Sequence, residues 1–552
     1  MLRIFRQYYP IRNLFFVFGE FAVIFLSTIF ANWVFYGFDH VVGNWALYFR
    51  ILIITSVTQT CLYYNDLYDL QVTDSFGELS VRLLQSLGAG AIILAGIYLL
   101  FPWVSMGMDV FTVSIIFDIL FIVFWRFGYT ALLNQRWLDQ RILILGFNPL
   151  TAKVLQEINE RKDCGYMVAG VILEPGVSLV QTSEGMPAAE GRFLPFPETG
   201  LCQYAEKENI QKIVVGLDEK NDHFPVQELL RCRINGIEVL EGSSFFEMLT
   251  GKLLVDHIKP EWLIFSDGFR QSWGKRFVKR TIDLTISIAM LVLLLPLILV
   301  IAVLVKLDHK EPEVSPKDVW CYFPKFCDAE RIALSEQIRF LLRDYIQFEG
   351  QNSFSLLWKR FKEKCAQEDI PPSGKLLGLI RSRIDAVRPE DQQGKRPVFF
   401  SQERVGQNGR IYRVHKFRSM VVNAERYSGP VWAGEDDKRI TRIGNFIRKW
   451  RIDEIPQLWN VLKGEMSFVG PRPERDHFVE QLEKTIPYYR ERLTVKPGLT
   501  GWAQVSYGYG ASEDDAKEKL NYDLFYIKNM SIPMDLMIVL RTIKIVIFGM
   551  GR

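Results

Sequence analysis

The chain has 552 residues, too many for one hydrophobic core, so about three domains are expected. A formal net charge of +3 argues against a nucleic-acid partner. Seven scattered cysteines without a CxxC pair indicate neither a disulfide framework nor a zinc site, and six dispersed histidines show no metal-ligand spacing.

Hydrophobic residues make up 49% of the chain, and the excess is concentrated at the N-terminus and near 282–305. Four apolar stretches, 13–37, 46–66, 81–103 and 108–134, each approach the roughly 20 residues that a membrane-spanning helix needs. Arg3, Arg6 and Arg12 precede the first, and Arg136 and Arg141 follow the fourth. The turns at 38–45 and 104–107 carry no Lys or Arg, so both ends of a four-helix transmembrane bundle are expected in the cytoplasm. Arg126, inside the fourth stretch, is expected to face the bundle rather than lipid.

From 141 the pattern changes to alternating strands and helices. Strands are expected at Arg141–Gly146, Met167–Leu173, Lys212–Val215 and Ile237–Leu240, with helices at Thr151–Glu160 and Pro225–Asn235. This is a Rossmann-like α/β domain over 141–270. Gly146-Phe-Asn-Pro-Leu-Thr-Ala152 lacks the second and third glycines of GxGxxG, which favours a structural or regulatory fold over a dinucleotide site.

A fifth apolar segment, 279–307, opens with Lys279-Arg-Thr-Ile-Asp283 and has Pro296 in its interior. It reads either as a spanning helix with a proline kink or as a helix broken at Pro296 that dips into one leaflet and returns. Residues 309–394 form a polar, helix-leaning insert with no recognisable chemistry.

The residues that point to chemistry follow the insert. Arg410-Ile-Tyr-Arg-Val-His-Lys-Phe-Arg-Ser-Met420 is an expected strand that places Lys416 and Arg418 on one face. Arg451-Ile-Asp-Glu-Ile455 leads into an expected short helix, with Asp453 as its N-cap, Ile455, Leu458, Trp459 and Leu462 on its apolar face, and Gly464 as its stop. Adjacent carboxylates wrapped in arginines suggest a metal and a polyphosphate. Gly470-Pro-Arg-Pro-Glu474 and Lys496-Pro-Gly-Leu-Thr-Gly-Trp-Ala-Gln504 are rigid loops that hold backbone N–H groups open for phosphate and sugar oxygens. The C-terminal Ile532–Gly549, with Arg541 and Lys544 among apolar residues, reads as an interfacial helix.

The ordered motifs "VFFSQERVG", "HKFRSM", "IDEIPQLWNVLKGEMSFVGPRPE", "VKPGLTGWAQV" and "NYDLFYI", together with the Lys-Arg-x-x-Asp helix, closely resemble the bacterial polyprenyl-phosphate hexose-1-phosphate transferases, the monotopic phosphoglycosyl transferases. The resemblance covers about 279–308 and 395–549, and extends more loosely over the N-terminal part. It implies a catalytic domain over 271–552, following a bundle over 1–140, with a re-entrant membrane helix and interfacial amphipathic helices. In that family Asp453 would be the nucleophile on a UDP-sugar, releasing UMP and leaving an aspartyl-phosphosugar for undecaprenyl phosphate to accept. Glu454 would hold Mg²⁺. Arg404, Lys416, Arg418, Arg451, Arg472, Pro473 and Gln504 would line the substrate site, with Arg472, Lys416 and Arg418 as the phosphate clamp. Asp523 would assist the lipid acceptor or be a helix-surface acid, two readings of equal weight. Lys279, Arg280, Asp283 and Pro296 would anchor the re-entrant helix, with the two cations at headgroup level. The resemblance further implies membrane lipids as partners, a homodimer, and a cytoplasmic-membrane location with the catalytic domain in the cytosol, where UDP-sugars are found. It leaves the transferred hexose open.

Overall fold

In a computed structural model of the chain, the described residues are 2–4, 7–9, 11–68, 76–134, 139–161, 164–173, 193–197, 200–217, 224–258, 272–308, 397–421, 424, 437, 439–508, 510 and 512–549. The insert at 309–394 lies outside them. Two units are formed, one of residues 1–270 with 524–534, the other of residues 271–523 with 535–552.

The first unit begins with four long helices, α1 (Ile11–Tyr36), α2 (Trp45–Tyr64), α3 (Phe76–Leu100) and α4 (Met108–Asn134). Each is long and apolar enough to cross a membrane. Their outward residues include Leu26, Ile92, Leu120 and Phe124, while Glu20, Ser27, Asp118 and Arg126 turn inward and are buried. Arg126 of α4 is buried as expected; its Nη2 lies 2.7 Å from Glu20 of α1, and its Nη1 donates to the Leu67 carbonyl at 2.6 Å. Ser27 of α1 donates to the carboxylate of Asp118 on α4.

The rest of the unit is an α/β sheet. Strands β1 (Gln140–Leu145), β2 (Tyr166–Ile172), β3 (Phe193–Leu194), β4 (Lys212–Val215) and β5 (Glu238–Glu241) run parallel in the order β3-β2-β1-β4-β5. Both faces are covered, which is why β1 and β4 read as unbroken apolar runs. Ile142 and Ile144 pack with α5 (Pro149–Glu160) and α8 (Gly242–Thr250); Leu143 and Leu145 pack with α6 (Leu201–Lys207) and α7 (Val226–Ile234). Gly146, at φ +88°, follows β1, and a Cβ there would lie 2.5 Å from Leu217. The Asn148 side chain caps α5 by accepting from Thr151 N–H and also donates to the Gly216 carbonyl. Close packing and a side-chain cap therefore account for this turn without a bound pyrophosphate.

In the second unit, α9 (Trp273–Leu307) begins six residues before the expected 279 and carries Pro296 in its interior. Proline removes one backbone donor, which one long helix tolerates when its neighbouring turns hold. Both ends of α9 are fastened to this unit. Near its start, Asp283 accepts from Ser467 Oγ at 2.8 Å and Phe468 N–H at 3.0 Å. Lys279 pairs with Asp535 at 2.6 Å, and Arg280 forks onto the Val461 and Leu462 carbonyls at 2.6 and 2.8 Å. These two cations, expected at headgroup level, are thus engaged with protein. At the far end Ile301 and Val305 pack with Phe417 and Ile447, and Asp308 accepts from Ile443 N–H at 3.0 Å. Between these anchors Val292, Leu293 and Leu299 are exposed.

Strands β6 (Phe399–Val405) and β7 (Ile411–Phe417) pair antiparallel; β8 (Ser467–Val469) and β9 (Gly498–Thr500) pair parallel. The helices are α10 (Arg442–Lys449), α11 (Leu458–Lys463), α12 (Asp476–Thr485), α13 (Trp502–Ser506), α14 (Glu513–Asn529) and α15 (Ile532–Ile547). In α15 Leu536, Leu540, Ile543 and Ile547 form an exposed apolar stripe at helical spacing, and Arg541 stacks over Trp502.

The face expected for α11 is corrected: Trp459 is 53% exposed, while Leu458, Asn460 and Val461 are buried. A 3-10 turn precedes α11, and its three residues per turn rotate the faces relative to one continuous α-helix. Asn460 then reaches the edge of β7, where its Nδ2 donates to the Arg413 carbonyl at 2.7 Å and its Oδ1 accepts from His415 N–H at 3.1 Å. Asn460→Ala is expected to lower stability by about 2–3 kcal/mol, because two strand groups lose their partner in a buried setting. Thermal unfolding in detergent, monitored by circular dichroism, checks this.

Candidate active site

The site is built on one unfavourable backbone conformation. Arg451 adopts φ 52°, ψ 21°, the left-handed region, at a cost of about 1–2 kcal/mol for a non-glycine residue. That reversal starts the 3-10 turn Ile452–Gln457, in which Asp453 and Glu454 are both buried. Asp453 is therefore not the expected N-cap; it sits inside the turn, and Arg451 precedes it without a side-chain cap. Gly464 ends α11 at φ 84°, as its position in the sequence predicts.

Three cations converge on Glu454. Lys416 Nζ, from β7, lies 2.8 Å from Oε1, and Arg472 Nη2, from the loop after β8, lies 2.9 Å from the same oxygen. Arg451 Nη1 lies 3.7 Å from Oε2. Burial alone would raise this carboxyl, but Arg472, Lys416 and Arg451 outweigh it and hold Glu454 well below the usual carboxylate range. Burial also pulls the Lys416 ammonium down, against the attraction of Glu454.

Asp453 has the opposite environment. Burial pushes it up to about 6; Lys416 opposes that rise and Glu454 adds to it. Its carboxylate takes no hydrogen bond or ion pair from the described residues. One carboxylate is thus firmly ionised and paired, and its neighbour is more basic and uncommitted, a division that separates chemical roles.

The other expected site residues are distributed unevenly. Arg418 is not in this cluster: it is buried, and its Nη2 donates to the Val305 carbonyl of α9 at 2.7 Å. Alternation does put it on the face of Lys416, but the strand ends at Phe417 and the side chain turns to the helix. Arg404 donates to the Pro473 carbonyl at 3.3 Å and lies 3.7 Å from Glu474. Gln504, on α13, keeps both amide atoms buried without a hydrogen-bond partner among the described residues, an arrangement open to a polar ligand. Asp523 is buried and held by Arg492 at 3.2 and 2.8 Å. Arg492 escapes sequence reasoning because the run Tyr489–Thr494 carries no motif; only its fold neighbours give it a role.

Replacing Arg451 with glycine relieves about 1 kcal/mol of left-handed strain but strips a cation from buried Glu454 at a cost of about 3 kcal/mol, so stability should fall. Melting temperature of the variant beside wild type checks this.

Residues 386–549 match the family model described as bacterial sugar transferase. Among similar proteins, the UDP-N-acetylgalactosamine-undecaprenyl-phosphate N-acetylgalactosaminephosphotransferase of Aeromonas hydrophila is 50% identical over 155 residues, 28% of this chain and 36% of that protein. The UDP-glucose:undecaprenyl-phosphate glucose-1-phosphate transferase of Xanthomonas campestris is 44% identical over 181 residues, 32% of this chain and 37% of its own length. The protein of the same description from Escherichia coli is 42% identical over 149 residues, 27% of this chain and 32% of its own length. The matched stretch thus spans about a third of the length of each of these relatives. Residues 386–549, which hold the Asp453–Glu454 turn and its three cations, are thus the part of this chain that is similar to the bacterial sugar transferase family.

Proposed function

We propose that this protein transfers a hexose-1-phosphate from a UDP-sugar to undecaprenyl phosphate, releasing UMP, as the first membrane step of polysaccharide synthesis. The observation that carries this reading is the contrast between Asp453 and Glu454. The carboxylate with no partner borders the positive cluster that a diphosphate would enter. In the first half-reaction an Asp453 oxygen attacks the sugar-bearing phosphorus. The bond from that phosphorus to the UMP oxygen breaks, UMP departs with the electron pair, and an aspartyl-phosphosugar remains. In the second half-reaction a phosphate oxygen of undecaprenyl phosphate attacks the same phosphorus and the Asp453 carboxylate leaves. One phosphoanhydride replaces another, so the overall equilibrium is near balance.

Arg472 and Lys416 would meet the diphosphate oxygens, since guanidinium and ammonium groups already converge there. Glu454 fits Mg²⁺, an ion that takes one or two carboxylates and completes its shell with phosphate and water. Its Oε2 has Arg451 at 3.7 Å, beyond a hydrogen bond, and so keeps lone pairs for a metal. When bound, Mg²⁺ would neutralise diphosphate charge and favour departure of UMP.

The same reading places the catalytic unit at the cytoplasmic face of the cytoplasmic membrane, with α1–α4 as a spanning bundle. It makes α9 a re-entrant helix. Support comes from its two ends, which are fastened to one unit while its exposed middle is apolar. The exposed stripe of α15 supports an interfacial position for that helix.

The test is UMP release from a panel of UDP-sugars by the full chain in nanodiscs with Mg²⁺, with and without undecaprenyl phosphate. Sustained release is expected with one donor, only when lipid is present, and a loss of at least about 1,000-fold is expected in Asp453→Asn. Lipid-independent turnover would instead identify a hydrolase.

A further inference from the structure

Arg472 is carried by the loop between β8 and α12, and that loop is fixed by its own backbone to an unusual degree. Pro471 and Pro473 cannot donate, so the carbonyls must supply the attachment. Each carbonyl from 471 to 474 is met by a donor from elsewhere in the unit. Pro471 O accepts from Gly498 N–H at 2.8 Å, and Glu474 O from Val405 N–H at 2.9 Å. The two between them are met by arginine side chains: Arg472 O by Arg492 Nη2 at 3.0 Å, and Pro473 O by Arg404 Nη1 at 3.3 Å. At the root of the loop Gly470 N–H donates to Thr500 O at 2.8 Å, and a Cβ on Gly498 would fall 2.1 Å from Gly470 N. The loop therefore has little freedom to slide at its base, and the carbonyl of Arg472 itself depends on one guanidinium.

That guanidinium is fully committed. Arg492 is 7% exposed; its Nε and Nη2 reach Asp523 Oδ2 at 3.2 and 2.8 Å, and its Nη1 reaches Tyr489 Oη at 2.8 Å. Asp523 is 1% exposed. An acid so enclosed, with its charge already matched, is poorly placed to take a proton from an incoming lipid phosphate. It is well placed to orient an arginine whose remaining hydrogen sets a neighbouring main-chain carbonyl.

We infer that Asp523 and Arg492 are a positioning pair for the diphosphate site. Asp523 orients Arg492, Arg492 fixes the carbonyl of Arg472, and the Arg472 guanidinium is thereby held on Glu454 and on the incoming diphosphate. Neither residue touches substrate. The inference deepens the transferase reading and rests on it for its kinetic arm. Lysine cannot replace Arg492, because a single ammonium cannot reach both the carboxylate and the carbonyl in a fixed fork.

The test uses the full chain in nanodiscs and two readouts. One is the single-turnover burst of UMP from the UDP-sugar without lipid, which reports only the first half-reaction. The other is calorimetric affinity for UDP, which needs no turnover. Arg492→Lys and Asp523→Asn are each expected to cut the burst rate and the UDP affinity by about 10-fold or more, a loss typical of misplacing a binding group by an ångström. Melting temperatures are recorded for each variant. Arg492→Lys, which retains the positive charge beside Asp523, carries the test if Asp523→Asn does not fold. In an Arg472→Ala background, Arg492→Lys should have little further effect on either readout, whereas a merely structural role would cost the same in both backgrounds.

A normal burst and normal UDP affinity in Arg492→Lys would overturn the pair. So would an Asp523→Asn variant with a normal burst that fails only when lipid is added, since Asp523 would then act on the acceptor. If the wild type releases no UMP from any donor, the transferase reading falls, and UDP affinity across the same variants still decides whether the pair positions Arg472.

Discussion

The neutralisation of Glu454 is the constraint around which the second unit is organised. A carboxylate this deeply buried is costly unless cations are brought to it, and here three arrive from separate parts of the chain: Lys416 from β7, Arg451 from the turn itself and Arg472 from the loop after β8. The left-handed Arg451 belongs to the same arrangement, since its reversal of the backbone directs both carboxylates inward. A strained residue persists only where its surroundings over-determine it, and ion pairs with hydrogen-bonded anchors on either side supply that.

The elements that deliver these cations are themselves held by polar contacts rather than by apolar packing alone. Asn460 fastens α11 to β7, and Asp283 and Arg280 fasten α9 to β8 and α11. Oil-like packing tolerates small slips, whereas a carboxylate accepting one backbone N–H and one hydroxyl does not. A site in which phosphate oxygens must meet guanidinium hydrogens needs that registration, because electrostatic stabilisation falls off with small errors in placement. The Arg-Asp pair behind the proline-rich loop extends the same logic one layer outward.

The first unit follows different rules in its two parts. In α1–α4 apolar residues such as Leu26, Ile92 and Phe124 face outward and buried Arg126 meets Glu20, an arrangement that hydrocarbon favours. In the parallel sheet the turn after β1 keeps a single glycine because Leu217 fills the space beside it, and Asn148 occupies the helix start that a phosphate would otherwise use. A Rossmann strand order is thus present with a packing explanation for its residual glycine.

Much was legible in the sequence because it rests on short-range chemistry. Apolar length marks the long helices, an unbroken Ile-Val run marks β4 at Lys212–Val215, and Gly464 marks the end of α11 where a left-handed residue is required. The ordered motifs from "VFFSQERVG" onward likewise fall within 386–549, the stretch similar to the bacterial sugar transferase family. Side-chain partners were less legible. Lys416 and Arg418 share a strand face, yet one meets Glu454 and the other the end of α9, since the strand stops between them. Trp459, expected on the apolar face, is exposed and Asn460 is buried, because a 3-10 turn changes the phase of the helix that follows it. Asp523 and Arg492 lie 31 positions apart with no motif joining them, and only the fold brings them within hydrogen-bond reach. The sequence by itself determined which kinds of charge this protein carries and roughly where its long helices and main sheet strands lie. The tertiary structure decided which cation neutralises which carboxylate, because in a buried site that choice depends on distances of a few ångströms between segments remote in the chain.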